Sequence, residues 1–142
     1  MAGYDEDFAL WARRQARLLS EHRFHELDVT SLAEEVDSMA TRLVTEIEWH
    51  MQPLLSHLLR WKCFEGLRCD NWLSVTTEHR IWIGGVLEDA PSLKATLPEM
   101  IERLWLNVTL ELHKSMGLNF DLMPTKCPWT VDEVLTVGLL TK

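Results

Sequence analysis

The longest helical pattern of hydrophobic and polar positions in this chain lies between Thr30 and Trp61. At about 100° per residue, the side chains of its apolar stripe all fall within roughly 60° of Leu32 around a helix. Pro53 lacks an N–H and crowds the preceding turn, so we expect a kinked helix rather than two separate ones, with the leucine-rich half beyond it at the centre of the core. The stripe includes two histidines and consists of Leu32, Val36, Met39, Leu43, Ile47, His50, Leu54, His57 and Trp61.

Four other stretches have helical periodicity, and no segment alternates for long enough to form a sheet. Ser31, Thr96 and Thr130 each precede a glutamate by three residues, which predicts capping boxes at three helix starts, although Asp28 competes with Ser31. We therefore predict an all-α fold, a single antiparallel bundle of four to five helices with a kinked long central helix, in one domain over residues 1–142. The four stretches lie at about residues 5–20, 70–90, 98–116 and 131–140.

The first helix is expected to dock alongside the acidic half of the central helix, because it carries Arg13, Arg14 and Arg17 on one side. In the third helix, Gly84 and Gly85 each weaken the helix by about 0.8–1 kcal/mol relative to alanine. We expect another helix to approach closely there, or a local irregularity. The predicted inner faces of these helices include Phe8, Trp11, Gln15, Leu18, Leu19, Trp72, Val75, His79, Trp82, Ile83 and Val86. The terminal helix is predicted to turn Val131, Val134, Leu135, Leu139 and Leu140 inward.

The composition favours a soluble cytoplasmic protein. The formal net charge of -8 repels phosphate backbones, so nucleic-acid binding is not expected. No apolar run reaches the ~18 residues of a membrane span, and the acidic N-terminus does not resemble a signal peptide. The three cysteines are odd in number and form no C-x-x-C pair, so we expect reduced thiols rather than a disulfide framework or a zinc finger.

A transition-metal centre is the sharpest chemical hypothesis that the sequence supports. His50 and His57 lie on the central helix, His79 lies on the third helix, and Glu46 comes one turn before His50. Imidazole and carboxylate groups that face inward from adjacent helices can bind zinc, iron or nickel. His50 and His57 are about 10 Å apart along a straight helix, so a shared metal requires the kink. The alternative is that each histidine is bonded to a carbonyl or an acid.

Large aromatic side chains point to a different kind of function, binding or assembly. Trp49 falls outside the apolar stripe and Trp129 lies in a loop, and aromatic residues that do not reach the core are typical interface anchors. We therefore expect a homodimer, or another homo-oligomer or protein partner, unless the apolar connection around Leu122 covers these rings. No nucleophile motif or glycine-rich phosphate loop is present.

Short motifs are spread in order through the chain. They are Tyr4-Asp5-x-Asp7-Phe8-x-x-Trp11 with Gln15 and Leu18-Leu19, Leu27-Asp28 with Leu32-x-Glu34-Glu35, His57-Leu58-Leu59-Arg60-Trp61, Trp72 with Arg80, Pro91-Ser92-Leu93, and Cys127-Pro128-Trp129-Thr130. With these motifs the chain resembles a bacterial family, domain of unknown function number twenty-nine, over nearly its whole length.

The resemblance implies an all-helical bundle without an established activity. Glu34, Glu35 and His57 lie on its motifs, and the two glutamates are candidate binding residues. We therefore predict a non-catalytic helical binding or assembly module, with a metal-dependent helical-bundle enzyme as the alternative.

Overall fold

The computed structural model describes residues 3–138 and 140–141, and these residues form α-helices, short 3₁₀ helices and connections, with no β-strand. The prediction of an all-α helical bundle is confirmed. The terminal helix ends at Leu135, earlier than predicted, and Leu139 lies outside the described residues. The α-helices are α1 (Phe8–Ser20), α2 (Val29–Cys63), α3 (Asp70–Asp89), α4 (Leu97–Met116) and α5 (Val131–Leu135). The 3₁₀ helices are Phe24–Glu26, Glu65–Leu67, Pro91–Thr96 and Phe120–Leu122.

The chain divides into two compact units, residues 1–42 and residues 43–142. Helix α2 belongs to both, and it continues as one α-helix through Pro53, as the sequence predicted. The prediction that residues 1–142 form a single domain stays a prediction. No helix in the described ranges is both long and apolar enough to cross a membrane.

In the first unit, α1 is fastened to the start of α2 by hydrogen bonds at Asp28. The indole Nε1–H of Trp11 donates to Asp28 Oδ2 at 2.9 Å, and the Asp28 amide donates to Gln15 Oε1 at 2.8 Å. Asp28 Oδ1 also accepts the amide of Ser31 at 3.3 Å, so Asp28 caps α2 and the capping box predicted at Ser31 is wrong. Trp11, Gln15 and Leu18 are buried as predicted.

Several side chains predicted to face inward are exposed in the first unit. Phe8 and Leu19 on α1 are 48% and 45% exposed, and Val36 and Met39 on α2 are 63% and 62% exposed. The narrow contact through Trp11, Gln15 and Leu18 leaves the adjoining positions of both helices uncovered. The predicted docking of the α1 arginines is not seen for Arg13 and Arg17, which are exposed.

The second unit has its core around the second half of α2, as predicted. Burial is complete or nearly so from Ile47 to Leu59 on the inner side of this helix. Arg80 on α3 is also buried, and its Nε donates to the carbonyl of Val134 at 2.7 Å, which holds α5 against α3. The main core side chains are Ile47, Met51, Leu54, Leu55, Leu58, Leu59, Ile83, Val86, Leu97, Met100, Ile101, Leu104, Trp105, Val108, Leu112 and Val134.

Of the other predicted capping boxes, one forms and one does not. At α5, Thr130 Oγ1 accepts the Glu133 amide at 3.1 Å and Glu133 Oε1 accepts the Thr130 amide at 3.0 Å, which confirms the prediction. At α4 the box is wrong, because a 3₁₀ helix ends at Thr96 and already supplies helical backbone there. The Thr96 hydroxyl instead donates to the carbonyl of Leu93 at 2.6 Å.

The glycines of α3 are not sites of close approach. Apart from the chain neighbours and the nearby backbone of α3 itself, a Cβ atom added to Gly84 or Gly85 would meet no atom of the described residues within 4 Å. The expected close approach of another helix is therefore wrong. Trp82, predicted to face inward, is 51% exposed on the same helix. Gly117, by contrast, ends α4 as predicted, with the left-handed φ of 67° that glycine adopts readily.

Candidate functional site

Two of the predicted histidines face each other between helices of the second unit. His50 on α2 and His79 on α3 are both half-buried, and their Nδ1 atoms lie 2.9 Å apart. One ring must donate its Nδ1–H and the other must accept with an Nδ1 lone pair, so the contact requires opposite tautomers or a single shared proton. The two Nδ1 atoms therefore cannot both be protonated while this hydrogen bond is kept.

The surroundings of His79 favour its neutral form. Burial lowers the pKa of His79, and the nearby His50 and His57 lower it further, whereas Glu78 acts in the opposite direction. Trp82 stacks on His50, with ring centroids 5.3 Å apart and planes 5° apart. The half-exposed indole thus fixes the plane of the His50 ring on one side.

His57 takes a separate partner. Its ring Nδ1–H donates to the carbonyl of Pro53 at 2.8 Å, one turn earlier on α2. Burial lowers the pKa of His57, although this carbonyl opposes the shift. The neutral ring is therefore held in the tautomer that leaves the Nε2 lone pair as an acceptor.

A polar network lies beside His57 in a cleft of about 430 Å³. Arg60 Nη2 donates to Glu111 Oε1 at 2.6 Å, and the buried hydroxyl of Ser56 donates to the other oxygen of Glu111. One arginine and one hydroxyl from α2 thereby orient a carboxylate from α4. The cleft is lined by Glu48, Trp49, Gln52, Pro53, Ser56, His57, Leu104 and Glu111.

This network was missed by the sequence reasoning. Ser56 and Arg60 are one helical turn apart, which is the signal that the sequence offers for a shared polar face. Their partner Glu111 is 55 residues from Ser56, and nothing in the helical pattern identifies which glutamate of α4 they meet. Arg60 does lie on one of the motifs that carry the family resemblance, together with His57.

The predicted metal ligands assemble only in part. His50 and His79 come together, His57 binds a carbonyl, and Glu46 is half-buried on α2. Within the described ranges, no group of three or more histidine, cysteine, aspartate or glutamate side chains is arranged to hold a metal ion. The structure thus contains a histidine pair rather than the four-residue centre that we predicted.

Comparison with known families matches residues 3–139 to the model described as "Domain of unknown function DUF29". The chain belongs to this family. The family description assigns no activity, so membership establishes relationship and not chemistry. Comparisons with curated proteins and with solved structures gave no significant match.

The predicted aromatic anchors of this DUF29 chain differ in exposure. Trp49 is 74% exposed at the edge of the cleft, as expected of an anchor. Trp129 is half-buried and packs edge to face against Trp105 of α4, with centroids 5.9 Å apart, so α4 covers part of it. Trp105 and Trp129 both line a second cavity of about 510 Å³. Cys127 also lines this cavity, and burial raises the pKa of its thiol.

The glutamate pair on the DUF29 motif has a role within the first unit. Glu35 accepts the hydroxyl of Tyr4 and pairs with Arg42 Nη2 at 3.4 Å, whereas Glu34 is exposed. The hydrogen bond to Glu35 is the main cause that raises the pKa of Tyr4 to about 12. Glu35 therefore ties the segment before α1 to α2.

The first unit of the DUF29 chain also presents a large apolar surface. Seven large hydrophobic side chains between residues 3 and 42 are exposed, whereas two, Trp11 and Leu18, are buried. We use the name hairpin face for the part formed by Phe8, Ala12 and Leu19 on α1 and Val29 and Val36 on α2. The seven are Phe8, Leu10, Leu19, Phe24, Val29, Val36 and Met39.

Proposed function

We propose that the protein is a non-catalytic assembly module that forms a homodimer through the hairpin face. The observation that carries this proposal is the imbalance in the first unit, where exposed large hydrophobic residues outnumber buried ones by seven to two. A segment of about 40 residues is at the limit below which domains need oligomerisation or cross-links to be stable. Exposed apolar patches of this kind mark interaction surfaces.

The apolar stripes of the two helices lie on the same side of the hairpin. Contacts from Tyr4 to Glu35 and from Trp11 to Asp28 show that α1 and α2 run antiparallel. Successive residues of a helix are about 100° apart, which gives the angle between two sides of it. On each helix, the exposed stripe lies roughly 50–90° around the axis from the side that contacts the other helix. The direction of this rotation, viewed from the N-terminus of each helix, is the same for both. In an antiparallel pair, equal rotations bring both stripes to one side, so they form a continuous face.

The short length of the first unit favours a second copy as the occupant. An isologous dimer brings the same patch of both protomers together. Two copies of the hairpin face would then cover each other's exposed apolar side chains. Each hairpin would gain from its partner the apolar burial that its own residues do not supply.

The expected affinity follows from the area that remains exposed. Phe8, Leu19, Val29 and Val36 are 45–65% exposed, and full burial of such side chains is worth about 1.5–3 kcal/mol each. Covering the exposed part recovers about 3–7 kcal/mol per protomer, and the cost of association is about 4–15 kcal/mol for the pair. Since the two sums are of similar size, we expect a dimer of moderate affinity.

Substitutions at adjacent positions of α1 provide a matched test. Leu19→Lys places a charge on the hairpin face, whereas Ser20→Lys places the same charge on the neighbouring exposed position outside it. Light scattering after size exclusion should show a dimer for the wild type and Ser20→Lys, and mostly monomer for Leu19→Lys and for Val36→Lys. Circular dichroism should show unchanged helix content. A monomeric wild type at high concentration, or equal loss of dimer in Ser20→Lys, would refute the proposal.

We assign this assembly to the cytoplasm. All three cysteines, Cys63, Cys69 and Cys127, are free thiols. A reducing compartment keeps such thiols unpaired, whereas in an oxidising one exposed Cys69 would be open to intermolecular pairing. Fractionation of cells that express the natural protein would test this assignment.

A further inference from the structure

We propose that His50 and His79 form a two-histidine binding site for a borderline transition-metal cation, with Zn²⁺ as the test ion and solvent completing its coordination. This site is independent of the proposed dimer, since both histidines belong to the second unit and the hairpin face belongs to the first. Neutral imidazole is a preferred ligand of zinc, copper, iron and nickel.

The distance between the two nitrogens suits a shared cation. Zinc binds imidazole nitrogen at about 2.0–2.1 Å, so two nitrogens in a tetrahedral site lie about 3.3 Å apart. The Nδ1 atoms of His50 and His79 are 2.9 Å apart, so they must separate by about 0.4 Å, and both rings must turn until their lone pairs converge on the ion. The two ligands come from separate helices, so bound metal would cross-link α2 to α3.

Binding requires no net loss of a proton at neutral pH. In the free pair, one ring carries its proton on Nδ1 and the other carries it on Nε2. When both Nδ1 atoms bind the cation, the proton of the first ring moves to its Nε2, and each ring remains neutral. Protons are conserved, and the N–H···N hydrogen bond is replaced by two bonds to the metal.

The neighbouring groups prepare the pair for this exchange. Trp82 fixes the plane of the His50 ring by stacking, and His79 is half-buried, which limits the motion of both ligands. Burial and the neighbouring histidines lower the pKa of His79, so its lone pair is available at neutral pH. The only carboxylate acting on the pKa of His79 among the described residues is Glu78, which would offset part of the cation's charge.

The competing explanation is that the pair serves only as a hydrogen bond between α2 and α3. Nuclear magnetic resonance of the histidine ring nitrogens separates the two explanations. Zinc binding should convert both His50 and His79 to the tautomer protonated at Nε2, whereas a purely structural hydrogen bond would keep opposite tautomers in the presence of the ion. The latter result would overturn the proposal.

Calorimetry with the full chain, purified without a histidine tag, gives the affinity. At about pH 7.5 we expect one Zn²⁺ per chain with a dissociation constant of about 1–100 μM, since the site supplies about half the ligands of a structural zinc site. The enthalpy should be nearly the same in buffers of different ionisation enthalpy, because no proton is released. Absence of saturable binding below about 1 mM would overturn the proposal.

Variants locate the bound ion. His50→Gln and His79→Gln should each weaken zinc binding at least tenfold, while His113→Gln should leave it unchanged. His113 is a suitable control because it lies on α4 and its Nδ1 donates to the carbonyl of Leu118. Unchanged affinity in both test variants would place the metal elsewhere and refute the site. Circular dichroism and urea unfolding of each variant confirm that it is folded.

Discussion

Replacing Gly84 and Gly85 with alanine is expected to stabilise the protein. Both glycines lie inside α3 and are exposed, and neither has a left-handed φ. Apart from the chain neighbours and the nearby backbone of α3, a Cβ atom at either position meets no described atom within 4 Å. Alanine therefore removes the conformational entropy that glycine loses on folding without adding a clash.

The magnitude follows from helix propensity. Each substitution should add about 0.8–1.0 kcal/mol to the free energy of unfolding, and the double variant about 1.6–2 kcal/mol. For 142 residues, at about 2.1 cal/mol/K each, the entropy of unfolding is about 0.3 kcal/mol/K. The double variant should therefore unfold about 5–7 °C higher than the wild type.

Differential scanning calorimetry measures this shift, and Gly117→Ala provides the contrast. Gly117 has a φ of 67°, a conformation that costs alanine about 1–2 kcal/mol, so this variant should unfold several degrees lower. A lower unfolding temperature for the α3 double variant would refute the reasoning. It would mean that another segment or a second copy packs closely on these glycines.

Three further predictions concern the thiols, the histidines and the core. In native protein, exposed Cys69 should react with a thiol reagent well before Cys63 and Cys127, because burial raises the pKa values of those two thiols. Equal reaction rates for all three cysteines would contradict this prediction. Burial lowers the pKa of His57 below 6.5 in the folded protein, so the unfolded chain takes up the proton more readily. The free energy of unfolding that neutral His57 contributes is therefore fully present above about pH 6.5. It should be lost as the pH falls through the pKa of His57 in the folded state. Urea midpoints should show a smaller loss for His57→Gln than for the wild type. Trp105→Phe removes a buried indole and its hydrogen bond, and it should lower the free energy of unfolding by about 1–3 kcal/mol in the same assay.

The capping patterns show how far local sequence determines local structure. The same Thr-x-x-Glu pattern predicts a box at Thr96 and at Thr130, but only Thr130 forms one. The chain reaches Thr130 in an extended conformation, which leaves the first amides of α5 free. It reaches Thr96 through a 3₁₀ helix, which has already turned the backbone. The conformation of the preceding segment decides the outcome, and the four-residue pattern does not contain it.

The apolar stripe of α2 shows a second limit. Its periodicity correctly predicts one long helix, and the residues from Ile47 onward are buried as expected. Val36 and Met39 continue the same stripe but are exposed. Helical spacing identifies which residues share a face, whereas burial depends on which other segment reaches that face. Nothing in the spacing distinguishes a neighbour in the same chain from a second copy.

The histidines show a third limit, which is the axial register between two packed helices. Their positions on inward-facing stripes could be inferred, but the pairing of His50 with His79 depends on how α2 and α3 are shifted along each other. Pro53 illustrates the same point. Its carbonyl binds His57, so this histidine takes a partner on its own helix that the metal hypothesis did not assign to it.

Sedimentation equilibrium of the wild-type chain tests the proposed assembly most directly. The protomer mass is 16.5 kDa, and we predict a reversible monomer–dimer equilibrium in which the weight-average mass rises toward twice that value as the concentration increases. A mass that stays at 16.5 kDa up to the highest soluble concentration would contradict the account.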